Sequence, residues 1–99
     1  MKDLMLKLDE EKKRFIDAIG NPSRLKFLLV LWKSDKELTV YKICQHTGLG
    51  RSAVTRHLLM LVNAGLVSRR VYGEIPVYAL NIDKSRVRGI VDFFVKTKI

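Results

Sequence analysis

Apolar residues return along this chain at helical spacing, then in alternation, then at helical spacing again, and the changes of period divide it into elements. Phe15, Ile16 and Ile19 follow Asp9, Glu10 and Glu11 and the cations Lys12, Lys13 and Arg14, so acid stands at the positive end of a first helix that Gly20 ends. Asn21-Pro22-Ser23 supplies a cap and a proline whose missing N–H costs nothing in a first turn, which opens a second helix reaching about Lys33. Leu25, Leu28, Leu29 and Trp32 form one stripe on it and Phe27, Val30 and Leu31 another. Two stripes predict cover on more than one side and a place at the centre of the core.

Thr39 can cap a short third helix that turns Val40, Ile43 and Cys44 inward and stops before Gly48. Past the turn Thr47-Gly48-Leu49-Gly50, a fourth helix from about Arg51 to Ala64 places Val54, Leu58, Leu61 and Val62 at i, i+4, i+7 and i+8, and Gly65 closes it. From Leu66 to Leu80 the residues are β-rich and broken at Tyr72-Gly73-Glu74, which predicts a hairpin, with Pro76 placing its second strand at an edge. Asp83 is expected to cap a last helix with Val87, Ile90, Val91 and Phe94 on one stripe and Phe93 and Val95 off it. Helix, helix, helix, turn, helix, hairpin, helix is satisfied with short connections by a mainly α fold with a small β-hairpin, the winged helix-turn-helix.

Composition narrows the class. At 99 residues, 47% hydrophobic and 8% aromatic, the chain is expected to form one globular domain over 1–99, neither disordered nor of low complexity. A lone cysteine cannot make an internal disulfide, and no charged, apolar and small-residue leader opens the chain, so a reducing, cytoplasmic setting is expected. Apolar runs such as Phe27 to Trp32 are far shorter than the ~20 residues of a membrane span, so no membrane partner is expected. Nineteen Lys and Arg against 10 Asp and Glu leave a formal charge of +9, which favours a polyanionic partner, nucleic acid ahead of an anionic membrane.

The fourth helix is where this charge meets a suitable shape. Arg51, Ser52, Thr55 and Arg56 fall on adjoining rows of one face near its start, while Val54 and Leu58 hold the opposite face. A helix of this kind fits the major groove of double-stranded DNA, where guanidinium matches the O6 and N7 acceptors of guanine and hydroxyls meet phosphate or base. From Leu38 to Gly73 there is no Asp or Glu, which suits a phosphate surface. Backbone contacts are expected from Thr39, Tyr41 and Lys42 beside the third helix. Others are expected from Arg69, Arg70, Tyr72 and Gly73 in the wing, where alternation puts one arginine on each face. Glu74 at the hairpin tip opposes deep insertion into a minor groove.

Other chemistry is weaker. Cys44 reads as a small hydrophobe on an inward stripe, and His46 and His57 as a helix-end imidazole and a residue near phosphate. Ser52 and His57, five positions apart on a helix, point to different faces, so no nucleophile and base converge and no enzyme is expected.

The segments Gly20-Asn21-Pro22-Ser23-Arg24-Leu25, Thr47 through Leu58, and Leu61-Val62-Asn63-Ala64-Gly65-Leu66-Val67 together resemble the winged-helix regulators of the ArsR type, over roughly residues 15 to 82. The chain is similar also to small winged-helix regulators of archaea and their viruses, and more distantly to the MarR type. The resemblance implies a homodimeric, double-stranded DNA-binding transcriptional regulator, usually a repressor, with operator contacts at Arg51, Ser52, Thr55 and Arg56 and backbone contacts in the wing. Metal-sensing members carry a Cys-x-Cys pair where this chain has Glu37-Leu38-Thr39-Val40-Tyr41, and the last helix offers Asp83 and Asp92 without histidine. No metal and no cofactor are therefore expected.

Hydrophobes left over at both ends, Leu4, Met5, Leu6 and Leu8 at one and Phe93 and Val95 at the other, suggest a symmetry mate. Gly89 within the last helix would permit close crossing at a two-fold axis, so Leu4, Leu8, Gly89 and Phe93 are the expected dimer contacts. Two alternatives share the fold: a protein-interaction module, with Leu59 and Met60 as its apolar contacts, and a non-specific architectural DNA-binding protein. RNA binding would need stacking aromatics, for which only Tyr41 and Tyr72 qualify.

Overall fold

The structure is a computed structural model that describes residues 9–34 and 36–98. Its helices start and stop where backbone groups find partners. Asp9 caps α1 (Glu10–Ile19) by accepting the Lys12 N–H at 2.8 Å. One Asn21 carboxamide oxygen takes the N–H groups of Ser23 and Arg24, at 2.8 and 3.2 Å, to open α2 (Pro22–Ser34). Phe27, Leu28 and Leu31 of α2 are fully enclosed, Leu29, Val30 and Trp32 partly so, and Leu25 stays exposed. The helix thus lies at the centre of the core as expected, but one member of its first stripe faces solvent.

A strand too short to show any period follows. Leu38–Thr39 (β1) pairs antiparallel with the later hairpin through Leu38↔Tyr78 and Thr39↔Val77. Thr39 also caps α3 (Val40–Thr47), its hydroxyl accepting the Lys42 N–H at 3.2 Å. Gly48, at φ +76°, takes the left-handed conformation that ends α3 and lets the chain turn sharply into α4 (Arg51–Asn63). Val54, Leu58 and Leu61 of α4 are completely buried, which fixes its inward face.

The hairpin joins β2 (Val67–Tyr72) to β3 (Ile75–Leu80) through Gly73 and Glu74, in register from Val67↔Leu80 to Tyr72↔Ile75. Gly73 supplies the positive φ, +64°, at the tip. Sheet order is β1-β3-β2, so the strand carrying Pro76 is central and not an edge. The proline is accommodated because β1 pairs only with Tyr78 and Val77, and its ladder stops one residue short of Pro76. The last helix, α5 (Ser85–Lys96), begins later than expected. Lys84 occupies the cap position with no side-chain bond, while the Asp83 carbonyl instead accepts from the Arg88 guanidinium at 2.7 Å. Val87 and Phe94 bury α5 against the core, with the Phe94 ring 5.7 Å from that of Trp32. Among the described residues no helix is long and apolar enough to cross a membrane. The result, among the described residues, is a winged helix-turn-helix: five helices and a small three-stranded antiparallel sheet.

Candidate nucleic-acid interface

α4 separates its two faces completely. Arg51, Ser52, Thr55 and Arg56 are all exposed and border one open depression together with Leu59, while Val54, Leu58 and Leu61 lie beneath them in the core. Among the described residues no ion pair or hydrogen bond engages the side chain of Arg51 or Arg56. Gly50 stands at the cap of α4, so no side chain occupies the first N–H groups of that helix, which point out at its positive end. A neighbouring depression of about 280 Å³ is lined by Thr39, Val40, Tyr41, Arg51, Ile75 and Pro76, and so joins the start of α3, the start of α4 and the wing.

The supporting residues are less uniform. Tyr41 and Lys42 are exposed beside α4, with the Tyr41 hydroxyl accepting from the Gln45 amide at 3.1 Å. The Thr39 hydroxyl is already committed to its capping bond. In the wing, Arg69 and Arg70 lie on opposite faces of β2, as alternation requires. Arg69 Nε donates to the Tyr78 hydroxyl at 3.3 Å across the strand pair. Arg70 lies 3.5 Å from the Glu37 carboxylate and over the ring of Tyr72, whose hydroxyl donates to that same carboxylate at 3.0 Å. The acid-free window of the sequence is bounded at its start by an acid that the fold brings back: Glu37, immediately before it, folds across the sheet onto two of the expected wing contacts.

Arg24 was not singled out by the sequence, yet among the described residues it is the charged side chain that is buried, at 8% exposure. Its Nε and Nη2 donate to the Ala18 and Asp17 carbonyls at 2.7 and 2.8 Å, at the negative end of α1. Its Nη1 lies 3.2 Å from both His57 Nδ1 and Met60 Sδ on α4. No carboxylate pairs with it among the described residues. One guanidinium thus ties α1 to the helix that presents Arg51 and Arg56. Because Nη1 can only donate, His57 Nδ1 accepts and the imidazole is neutral with its proton on Nε2. Burial, then the Arg24 charge, then that of Arg56 hold the His57 pKa below its ordinary 6.5. His57 also packs edge-on against Phe27, with ring centroids 5.3 Å apart, so it faces inward and not toward phosphate. The signal for both residues was their place at the ends of the quoted segments, since a helical arginine otherwise reads as surface.

Of the expected dimer contacts, Leu4 and Leu8 lie outside the described residues. Phe93 is 58% exposed on α5, and a Cβ built on Gly89 would meet nothing within 4 Å, so nothing among the described residues requires a glycine there. Cys44 is partly buried against the core.

Comparison with known proteins adds relatives to this geometry. Residues 21–69 match the model described as bacterial regulatory protein, arsR family. A curated relative, the "Probable mercury resistance operon repressor" of Streptomyces lividans, is 34% identical over 61 residues, 62% of this chain and 47% of its own length. The chain thus spans about half the length of that relative. The structure of HlyU from Vibrio cholerae is similar with a TM-score of 0.75 at 27% identity, covering 94% of this chain and 97% of that one. The transcriptional repressor PagR of Bacillus anthracis superposes with a TM-score of 0.72 at 28% identity, over 86% of this chain and 93% of its own. NolR from Sinorhizobium fredii matches with a TM-score of 0.72 at 29% identity, over 94% and 96%. Family and fold are those of transcriptional regulators, which are not enzymes.

Proposed function

Because the chain belongs to the arsR family of bacterial regulatory proteins through residues 21–69, we propose that it is a sequence-specific double-stranded DNA-binding repressor that works as a homodimer. α4 enters the major groove, where Arg51 and Arg56 donate to guanine and Ser52 and Thr55 meet phosphate or base edges. Thr39, Tyr41 and Lys42, with Arg69, Arg70, Tyr72 and Gly73 of the wing, follow the backbone or the adjacent minor groove. The observation that carries this reading is the division of α4 into a fully buried aliphatic face and an open face of two unengaged guanidiniums and two hydroxyls.

Dimerisation rests on the terminal helices of a single domain spanning 1–99. Phe93 and Val95 leave apolar surface exposed on α5, and Gly89 gives a second helix room to approach. A two-fold pair would set two copies of α4 roughly 34 Å apart, matching an inverted repeat with half-sites about one turn apart.

Selection of bound duplexes from a random pool at two salt concentrations tests the reading. Enrichment of an inverted repeat is expected. So is a log K against log salt slope of roughly −5 to −9, for six to ten phosphates neutralised per dimer. Retention without enrichment would reduce the function to architectural binding, and no retention would overturn it.

A further inference from the structure

α4 carries one large aliphatic side chain on the face that the proposed function sends into DNA. Leu59 is 59% exposed, belongs neither to the core nor to the residues packed on it, and borders the same depression as Arg51, Ser52, Thr55 and Arg56. It stands at i+8, i+7, i+4 and i+3 from them, so it prolongs their rows by one turn. Met60, its neighbour, is turned back toward Arg24, which leaves Leu59 as the apolar member of the open face. Eight residues of helix rise roughly 12 Å, so Arg51 and Leu59 address different base pairs of one groove.

Guanidinium and hydroxyl groups recognise acceptors and donors. They cannot sense the 5-methyl group that distinguishes thymine in the major groove, which only apolar atoms read. Resting on the DNA-binding function above, we propose that Leu59 is a specificity-determining residue whose methyl groups pack on the 5-methyl of thymine. The chain would then prefer an A·T pair beyond the bases met by Arg51 and Ser52. Charge and surroundings favour this occupant: every other residue bordering the depression is polar, two are cationic, and no acid occurs from Leu38 to Gly73. A protein partner docking on a leucine would be met by an apolar surround, whereas a thymine methyl is ringed by the polar base edges and phosphates that these neighbours suit.

The test uses the full chain and duplexes recovered from a random pool, resynthesised with deoxyuridine for thymidine at single positions. Wild type should lose about four-fold in affinity per contacted position, the scale of burying one methyl group. Leu59→Ala should bind the thymine and uracil duplexes alike, at the wild-type level for uracil, and Leu59→Met should keep the preference. Because Leu59 is 59% exposed and outside the core, both variants should melt as wild type does. Equal binding of the two duplexes by wild type, or discrimination surviving in Leu59→Ala, would overturn the role of Leu59 and leave DNA binding standing. Failure to recover any duplex would overturn DNA binding itself, and this role with it.

Discussion

The open face of α4 and the wing are both basic and both exposed, yet they hold their arginines in opposite ways. On α4 the guanidiniums of Arg51 and Arg56 stand over a buried aliphatic seam and engage no neighbour among the described residues. On the wing, Arg69 is bonded to Tyr78 and Arg70 is paired with Glu37. A phosphate approaching α4 displaces only water and counterions, whereas one approaching Arg70 must first compete with a carboxylate. Charge counted along the sequence treats these groups as equal. Their contributions differ because one set is held by the backbone of a packed helix and the other by exchangeable side-chain partners.

The hardest test of that contrast removes what holds α4. Replacing Arg24 with Ala leaves the Asp17 and Ala18 carbonyls without their partner and should cost about 2–4 kcal/mol of folding stability, read by chemical denaturation. An unchanged unfolding midpoint would mean that α4 does not depend on this tie. Next in size, Arg56→Ala should lose about 1–3 kcal/mol of binding to the preferred duplex and relax its sequence preference, measured by competition titration. Glu37→Gln should free Arg70 and strengthen binding to every duplex by about 0.2–1 kcal/mol, with no change in preference. If it weakens binding, the carboxylate orders the wing more than it restrains it.

The smallest effect is on pH. His57 has a folded-state pKa below its unfolded 6.5, so the stability it contributes as a neutral acceptor is complete above about pH 6.5. That contribution is lost as pH falls from there through the lowered value, because the unfolded chain takes up the proton first. The acid-side decline in unfolding midpoint should shrink in His57→Gln.

Much of this fold was legible because α4 and the hairpin obey simple periods: i, i+4, i+7 for Val54, Leu58 and Leu61, and alternation for Arg69 and Arg70. The same period turns the four polar residues of α4 away from that buried face. What escaped was set by contacts distant in sequence. β1 is two residues long and exists only because β3 lies beside it, and it is β1 that makes the strand of Pro76 central. Glu37 meets Arg70 and Tyr72 only after the sheet has formed. Arg24 reads as a surface cation until the end of α1 offers it two carbonyls. The cap of α5 moved from Asp83 to Lys84 without any side-chain bond to mark it.

Among the described residues the sheet order β1-β3-β2 leaves the outer side of β2 without a neighbouring strand, a row of amide groups open to recruitment by another chain. Arg69 and Arg70 stand on that strand, one on each face, and charged side chains on an edge disfavour pairing with another copy. Neutralising both by mutation would therefore lower the barrier to strand-to-strand self-assembly, a role for the wing's charge that needs no nucleic acid.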